Sequence, residues 1–314
     1  MKEKVNYLRH IICLTALFVI GNAGIIIPFE KSDDTCLYTF IAAAAVFTVI
    51  AVILFPLIKR LYCENAAEYT GIKKQLTVIL YVITVLLMLF TASLCFRDYT
   101  DFVSVTILPE TPAFIISFIF FICISIFSIQ KDSVILKFSV FAFLMSAAAV
   151  LIFFAVSLPT SKLENIILLR IPNFKNSLGQ FSGQLLKIFL PIFPAIIYSA
   201  LVIGKQSKKY MTTGLVSGSV IMLIMLLNSL LLFGADMASN LEYPYAAAIS
   251  TVTIGDLFTR LDGFSYFLFF ASCTVKITVL IAASSKLIMI CGIKKRKTIA
   301  LISAFIVFLA GVLL

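Results

Sequence analysis

Charge and metal-binding chemistry are what this 314-residue sequence has least of: 13% of its residues are charged, and His10 is the only histidine. With a single histidine and seven scattered cysteines (13, 36, 63, 95, 123, 273 and 291), no zinc site is expected, and the thiols read as small apolar packing residues. No glycine-rich phosphate loop precedes a helix, and no serine or cysteine has a base partner in view. The sequence therefore gives no ground for an enzyme, a cofactor or a metal. No cleavable leader is expected either. The first apolar run ends in GNAGIIIP instead of a small-residue cleavage site, so it reads as a retained helix.

What the chain has in abundance is apolar length. Hydrophobic residues make up 61% of it, in repeated runs of about 20 residues, the length that crosses a hydrocarbon core as helix. The runs predict an all-α polytopic membrane protein, a single integral domain over 1–314, with nine spans at 8–28, 36–58, 76–96, 112–130, 136–157, 184–204, 211–233, 263–290 and 298–314. With the N-terminus inside, 17 lysines and arginines and four acids fall on the inner side, a net +13. The outer side nets −4, and Lys276 completes the total of +10. The basic excess thus follows the positive-inside rule and is no nucleic-acid footprint. Two outer loops, 158–183 and 234–262, are long enough to hold short surface helices, the second opening at Pro244.

Two spans carry interruptions. Gly21-Asn22-Ala23-Gly24 joins poor helix formers to a polar amide ahead of Pro28 in the first span. Pro191 and Pro194 lie inside the sixth, each removing an amide donor. The breaks fall in corresponding first helices if 8–157 is one repeat and 184–314 a second, inverted and truncated one. That placement predicts a midplane binding site. Amides around Gly21, Asn22, Ala23 and Gly24, and the half-helix end at Phe193, Pro194 and Ala195, are expected to hold a carboxylate.

Lys276 lies about 20 Å into the eighth span at 1.5 Å per residue, too deep for easy snorkelling. It shares a helical stripe with Ser265, Ser272 and Ala283, which suits the bundle interior. No aspartate or glutamate is placed within any predicted span. The expected partners of Lys276 are therefore backbone carbonyls, hydroxyls, water or a bound anion, unless it is neutral. Lys286, ten residues on, reaches the inner interface and is given no special role.

Several segments then fall into a recognisable order: Gly21 to Pro28, the LPETP run from Leu108 to Pro112, Tyr243-Pro244, and Arg260-Leu261-Asp262 with Lys276 behind it. In these the chain resembles, over almost its whole length, the B-subunit of spore germination nutrient receptors, a branch of the amino acid, polyamine and organocation transporter superfamily. The resemblance implies an amino-acid-permease-like five-plus-five inverted repeat with broken helices one and six. It further implies nutrient sensing in the spore inner membrane or the cell membrane, beside A-type and lipoprotein C-type receptor subunits. It also implies a tryptophan about where Phe269 stands, which this sequence lacks, and a tenth helix, expected to be missing. The function expected is binding of a small nutrient such as an amino acid, with Lys276 tuning the site. A proton- or ion-coupled amino acid permease is the alternative, and a conduit for water or small ions fits the same fold.

Overall fold

The computed structural model describes residues 2–23, 36–64, 72–162, 164–167, 174–185, 190–203, 207–251, 262–291 and 295–314, and the regular elements among them are all helical. In chain order they are α1 (Lys2–Ala23), α2 (Cys36–Lys59, prolonged by a π turn Arg60–Glu64), α3 (Ile72–Thr106), α4 (Ala113–Ser128) and α5 (Asp132–Ser157). Then come α6 (Glu164–Ile167), α7 (Phe174–Gln184), α8 (Phe193–Ile203, entered through a 3-10 turn Leu190–Ile192), α9 (Ser207–Asn240), α10 (Pro244–Thr251), α11 (Asp262–Ile290) and α12 (Arg296–Leu313). Six helical stretches are long and apolar enough to cross a bilayer: Cys36–Tyr62, Gln75–Thr106, Asp132–Thr160, Lys208–Asn240, Phe269–Ile290 and Arg296–Leu313. Shorter apolar helices, Arg9–Gly21, Ala113–Ser128 and Phe193–Val202, fall on the first, fourth and sixth expected spans.

The surface of the bundle is that of an integral membrane protein. Val49, Ile53 and Leu57 of α2, Leu76, Leu86 and Leu87 of α3, and Phe114, Phe118 and Ile119 of α4 are all exposed. Apolar faces of that extent are solvated by lipid, not by water. α11 differs, because 78% of its apolar window is buried against 28% for α2. It packs against α1, α3, α4, α5, α8 and α12 and is the central helix of the assembly.

α1 packs most extensively against α9. Gly214 and Gly218 permit this, four residues apart on one face of α9. A Cβ at Gly214 would lie 2.5 Å from the Ile12 carbonyl oxygen, and one at Gly218 would lie 2.8 Å from that of Ala16. Lipid tails are as apolar as leucine, so what holds two such helices together is close backbone approach.

The structure departs from the sequence expectation in α3, which runs to Thr106 and not to residue 96. The charged stretch after 96 looks like a loop, yet Arg97 and Asp101 pair one turn apart at 3.3 Å and the helix continues through them. At the far end of α9 the expected boundary at 233 coincides with a kink at Gly234, whose φ of 75° and ψ of 170° only glycine adopts readily. The Leu231 carbonyl there receives the Lys162 amide and Asn165 Nδ2, each at 3.0 Å. The first of the two long loops is thereby docked onto the kink. The short helices expected in the two long loops are α6, α7 and α10, the last beginning at Pro244 as the sequence suggested.

The sixth span is interrupted as expected. α7 ends at Gln184, Pro191 stands in the 3-10 turn, and Pro194 occupies the first turn of α8, where a missing amide costs no intrahelical bond. In the first span, Gly21, Asn22 and Ala23 are still helical, while Gly24 to Pro28 lie outside the described residues.

Candidate functional site

Three buried elements meet around Lys276. Its side chain has 0% exposure and hangs from the middle of α11, which is packed against α1, α3, α4, α5, α8 and α12. The ammonium lies 5.9 Å from the centroid of the Phe18 ring on α1 and donates a hydrogen bond to the Cys95 thiol on α3. A hydrocarbon-facing lysine would have to reach water, whereas this one is satisfied inside the protein.

Its charge is met from a place the sequence reading did not look. Asp98, half-buried on α3, interacts electrostatically with Lys276. The expectation that no carboxylate would stand within a span is therefore corrected, since Asp98 lies in the Gln75–Thr106 helix. The reason is the extra length of α3, which carries Asp98 along the same helix as Cys95 and toward α11. The i, i+4 spacing of Arg97 and Asp101 was the sequence signal that the helix continues.

One turn before Lys276, α11 touches the end of α1. A Cβ on Gly21 would lie 3.6 Å from the Ser272 carbonyl oxygen, and Cys273 Sγ donates to the Gly21 carbonyl at 3.5 Å. Ser272 Oγ also stands 3.3 Å from Ser146 Oγ of α5, tying a third helix to the junction. Because Gly21 to Ala23 are helical, their amides are engaged within α1. α1 arrives at this junction with its C-terminal, negative dipole end. The carboxylate cradle expected around Gly21 to Gly24 includes residues outside those described.

α8 presents the opposite polarity. Phe193, Pro194 and Ala195 form its first turn, with Pro194 and Ala195 buried and Phe193 packed against the core. Its N-terminal dipole end favours negative charge. α8 packs on both α1 and α11, so the two half-helix ends belong to one neighbourhood. The structure brings Gly21 and Lys276 together through Ser272 and Cys273. It records no direct contact between Lys276 and Phe193 to Ala195 among the described residues. Gly24 lies outside those residues, and only the backbone of Asn22 and Ala23 is described.

Toward the acidic end of the bundle the site is covered by aromatic rings. Phe102, four residues beyond Asp98 on α3, packs edge-on to Tyr243, Tyr266 and Phe269 at centroid distances of 5.1, 5.6 and 6.1 Å. Phe269 in turn meets Tyr245 of α10 at 6.0 Å. Burial, and then the neighbouring Glu242 carboxylate, push the Tyr243 phenol up to about 12, so it stays a neutral hydroxyl. The Tyr243-Pro244 pair thus starts α10 and supplies a ring to this cover.

No curated protein matches the chain. A family of permease-type spore germination membrane proteins does match, over residues 8–314, a stretch that includes every apolar helix, the Gly21 junction and Lys276; the chain belongs to that spore germination protein family.

Proposed function

We propose that the chain is the permease-like membrane subunit of a spore germinant receptor, binding a small nutrient such as an amino acid and signalling germination through A- and C-type partner subunits. The observation that carries this reading is the fully buried Lys276, held where α11 touches the last turn of α1 at Gly21. A buried charge beside a helix end is an expensive arrangement, and in membrane proteins it marks ligand and ion sites. The ligand lies between the end of α1 and the start of α8 in this reading, its carboxylate toward the half-helix end at Phe193 to Ala195, where Phe193 and Ala195 carry the amide donors. Lys276 tunes the field or stands in for a coupling cation beside the carbonyls of α1. The chain is a single domain whose halves, 8–157 and 184–314, form an inverted repeat with broken helices one and six. The N-terminus is cytoplasmic, and the membrane is the spore inner membrane or the cell membrane.

The test is the nutrient dose response of cells carrying Lys276→Met, with insertion checked in the membrane fraction. Loss of the response with the protein inserted is expected, and an unchanged dose response overturns the assignment. The opposite charges of Asp98 and Lys276 also fit a second reading, a proton- or ion-coupled amino acid permease. Reconstituted vesicles separate the two: a permease accumulates labelled amino acid under an imposed ion gradient, and a pure sensor does not.

A further inference from the structure

At the basic end of the bundle one carboxylate gathers three donors from three different helices. Asp132, the first residue of α5, accepts the Lys286 ammonium of α11 on Oδ2 at 2.8 Å. Its Oδ1 accepts Arg296 Nη2 of α12 at 2.9 Å and the Tyr198 hydroxyl of α8 at 3.0 Å. Arg296 donates again to the Gln130 carbonyl at 3.2 Å, and the Lys286 ammonium stands 5.0 Å over the Tyr198 ring. Both carboxylate oxygens are therefore engaged, and four helices are tied at one point.

The geometry points to a latch: the Asp132 cluster clamps α8, the helix that follows the break in the sixth span, against α5, α11 and α12, and its opening frees α8 at the basic end of the bundle. Three observations support it. First, α8 has only 11 residues and is joined to what precedes it through a proline-bearing 3-10 turn, so its position is set by side contacts rather than by a continuous helix. Second, the Tyr198 hydroxyl gives α8 a polar tie to this carboxylate, while the other side chains of the helix are apolar except Ser199, whose hydroxyl donates within the helix to the Ile196 carbonyl. Third, the charged side chains are 19%, 29% and 25% exposed for Lys286, Arg296 and Asp132, so water is at hand to solvate them when they part. A hydrogen-bonded charge cluster has discrete made and broken states, as a switching element requires.

This inference rests on the reading of the chain as a switching, permease-type receptor, and its test needs no ligand. The full-length protein in lipid nanodiscs is compared by hydrogen–deuterium exchange as wild type, Asp132→Asn, Tyr198→Phe and the charge swap Asp132→Lys with Lys286→Asp. For Asp132→Asn, exchange over 193–203 rises by about tenfold or more, while α3 and α4 stay within about twofold. Tyr198→Phe keeps the ring and gives a smaller rise in the same segment. The swap, which preserves one acid between two cations, returns exchange to near the wild-type rate. Unchanged exchange over 193–203 overturns the latch. So does a rise of equal size in every helix, which is what a merely structural ion pair produces. If Asp132→Asn does not fold, the Tyr198→Phe and swap proteins decide the matter by the same pattern. A localised rise in a protein that responds to no nutrient would leave the latch standing and count against the nutrient reading instead.

Discussion

Replacing Gly214 and Gly218 together by alanine tests the seam on which α1, and with it the Gly21 junction, is positioned. An unstrained contact between a methyl carbon and a carbonyl oxygen is about 3.4 Å. A Cβ at Gly214 would stand 2.5 Å from the Ile12 oxygen, and one at Gly218 2.8 Å from the Ala16 oxygen and 2.9 Å from the Ala16 Cα. The obstacles are these backbone atoms together with the Thr15 hydroxyl, which lies nearest of all to the Gly214 position, and the Val19 Cβ beside Gly218, so α1 and α9 must separate by at least about 0.6–0.9 Å along the seam. Overpacking of this kind costs roughly 1–3 kcal/mol per site, offset by up to about 1 kcal/mol of better helix propensity. A net loss of roughly 2–4 kcal/mol lowers the melting temperature by about 5–10 °C, measured by tryptophan-independent thermal unfolding in detergent. Gly179→Ala is the internal control, because a Cβ there meets nothing within 4 Å. In that exposed helix the propensity gain of up to about 1 kcal/mol acts alone and raises stability. A double variant that melts at or above the wild-type temperature would refute the close-packed seam.

Three further outcomes are expected. Asp98→Asn takes away an electrostatic neighbour of the buried Lys276, so a thermal double-mutant cycle of Asp98→Asn with Lys276→Met shows a favourable coupling of about 0.5 kcal/mol or more. Asn165→Ala removes the amide that satisfies Leu231 at the Gly234 kink and lowers stability by about 1 kcal/mol, with faster hydrogen exchange confined to the end of α9 and the docked loop. Tyr245 is 1% exposed and its hydroxyl has no hydrogen-bond partner among the described residues, so Tyr245→Phe raises the melting temperature by the equivalent of about 1 kcal/mol.

Apolar run length made the helical class, the membrane setting and most spans legible, because the bilayer imposes a length and penalises charge within it. The prolines at 191 and 194 announced the break before α8 for a similarly local reason. The end of α3 was not legible in that way. Arg97, Asp98 and Asp101 look like loop charges when only hydrophobicity is counted, yet the helix runs on through them, with Arg97 and Asp101 paired one turn apart and Asp98 in the electrostatic reach of a lysine 178 positions away in sequence. That one boundary hid the electrostatic partner of Lys276. The Asp132 cluster was hidden differently: its members count as ordinary loop or interface charges until tertiary packing brings α5, α8, α11 and α12 to one point.

The central claim is a nutrient site that uses Lys276, and its most direct test is the melting temperature of the purified protein across a panel of amino acids, for wild type and for Lys276→Met. Binding to the folded state raises the melting temperature with ligand concentration. The account predicts a concentration-dependent rise with at least one amino acid in the wild type and its loss in the variant. No rise with any member of the panel, or an equal rise in both proteins, would contradict it.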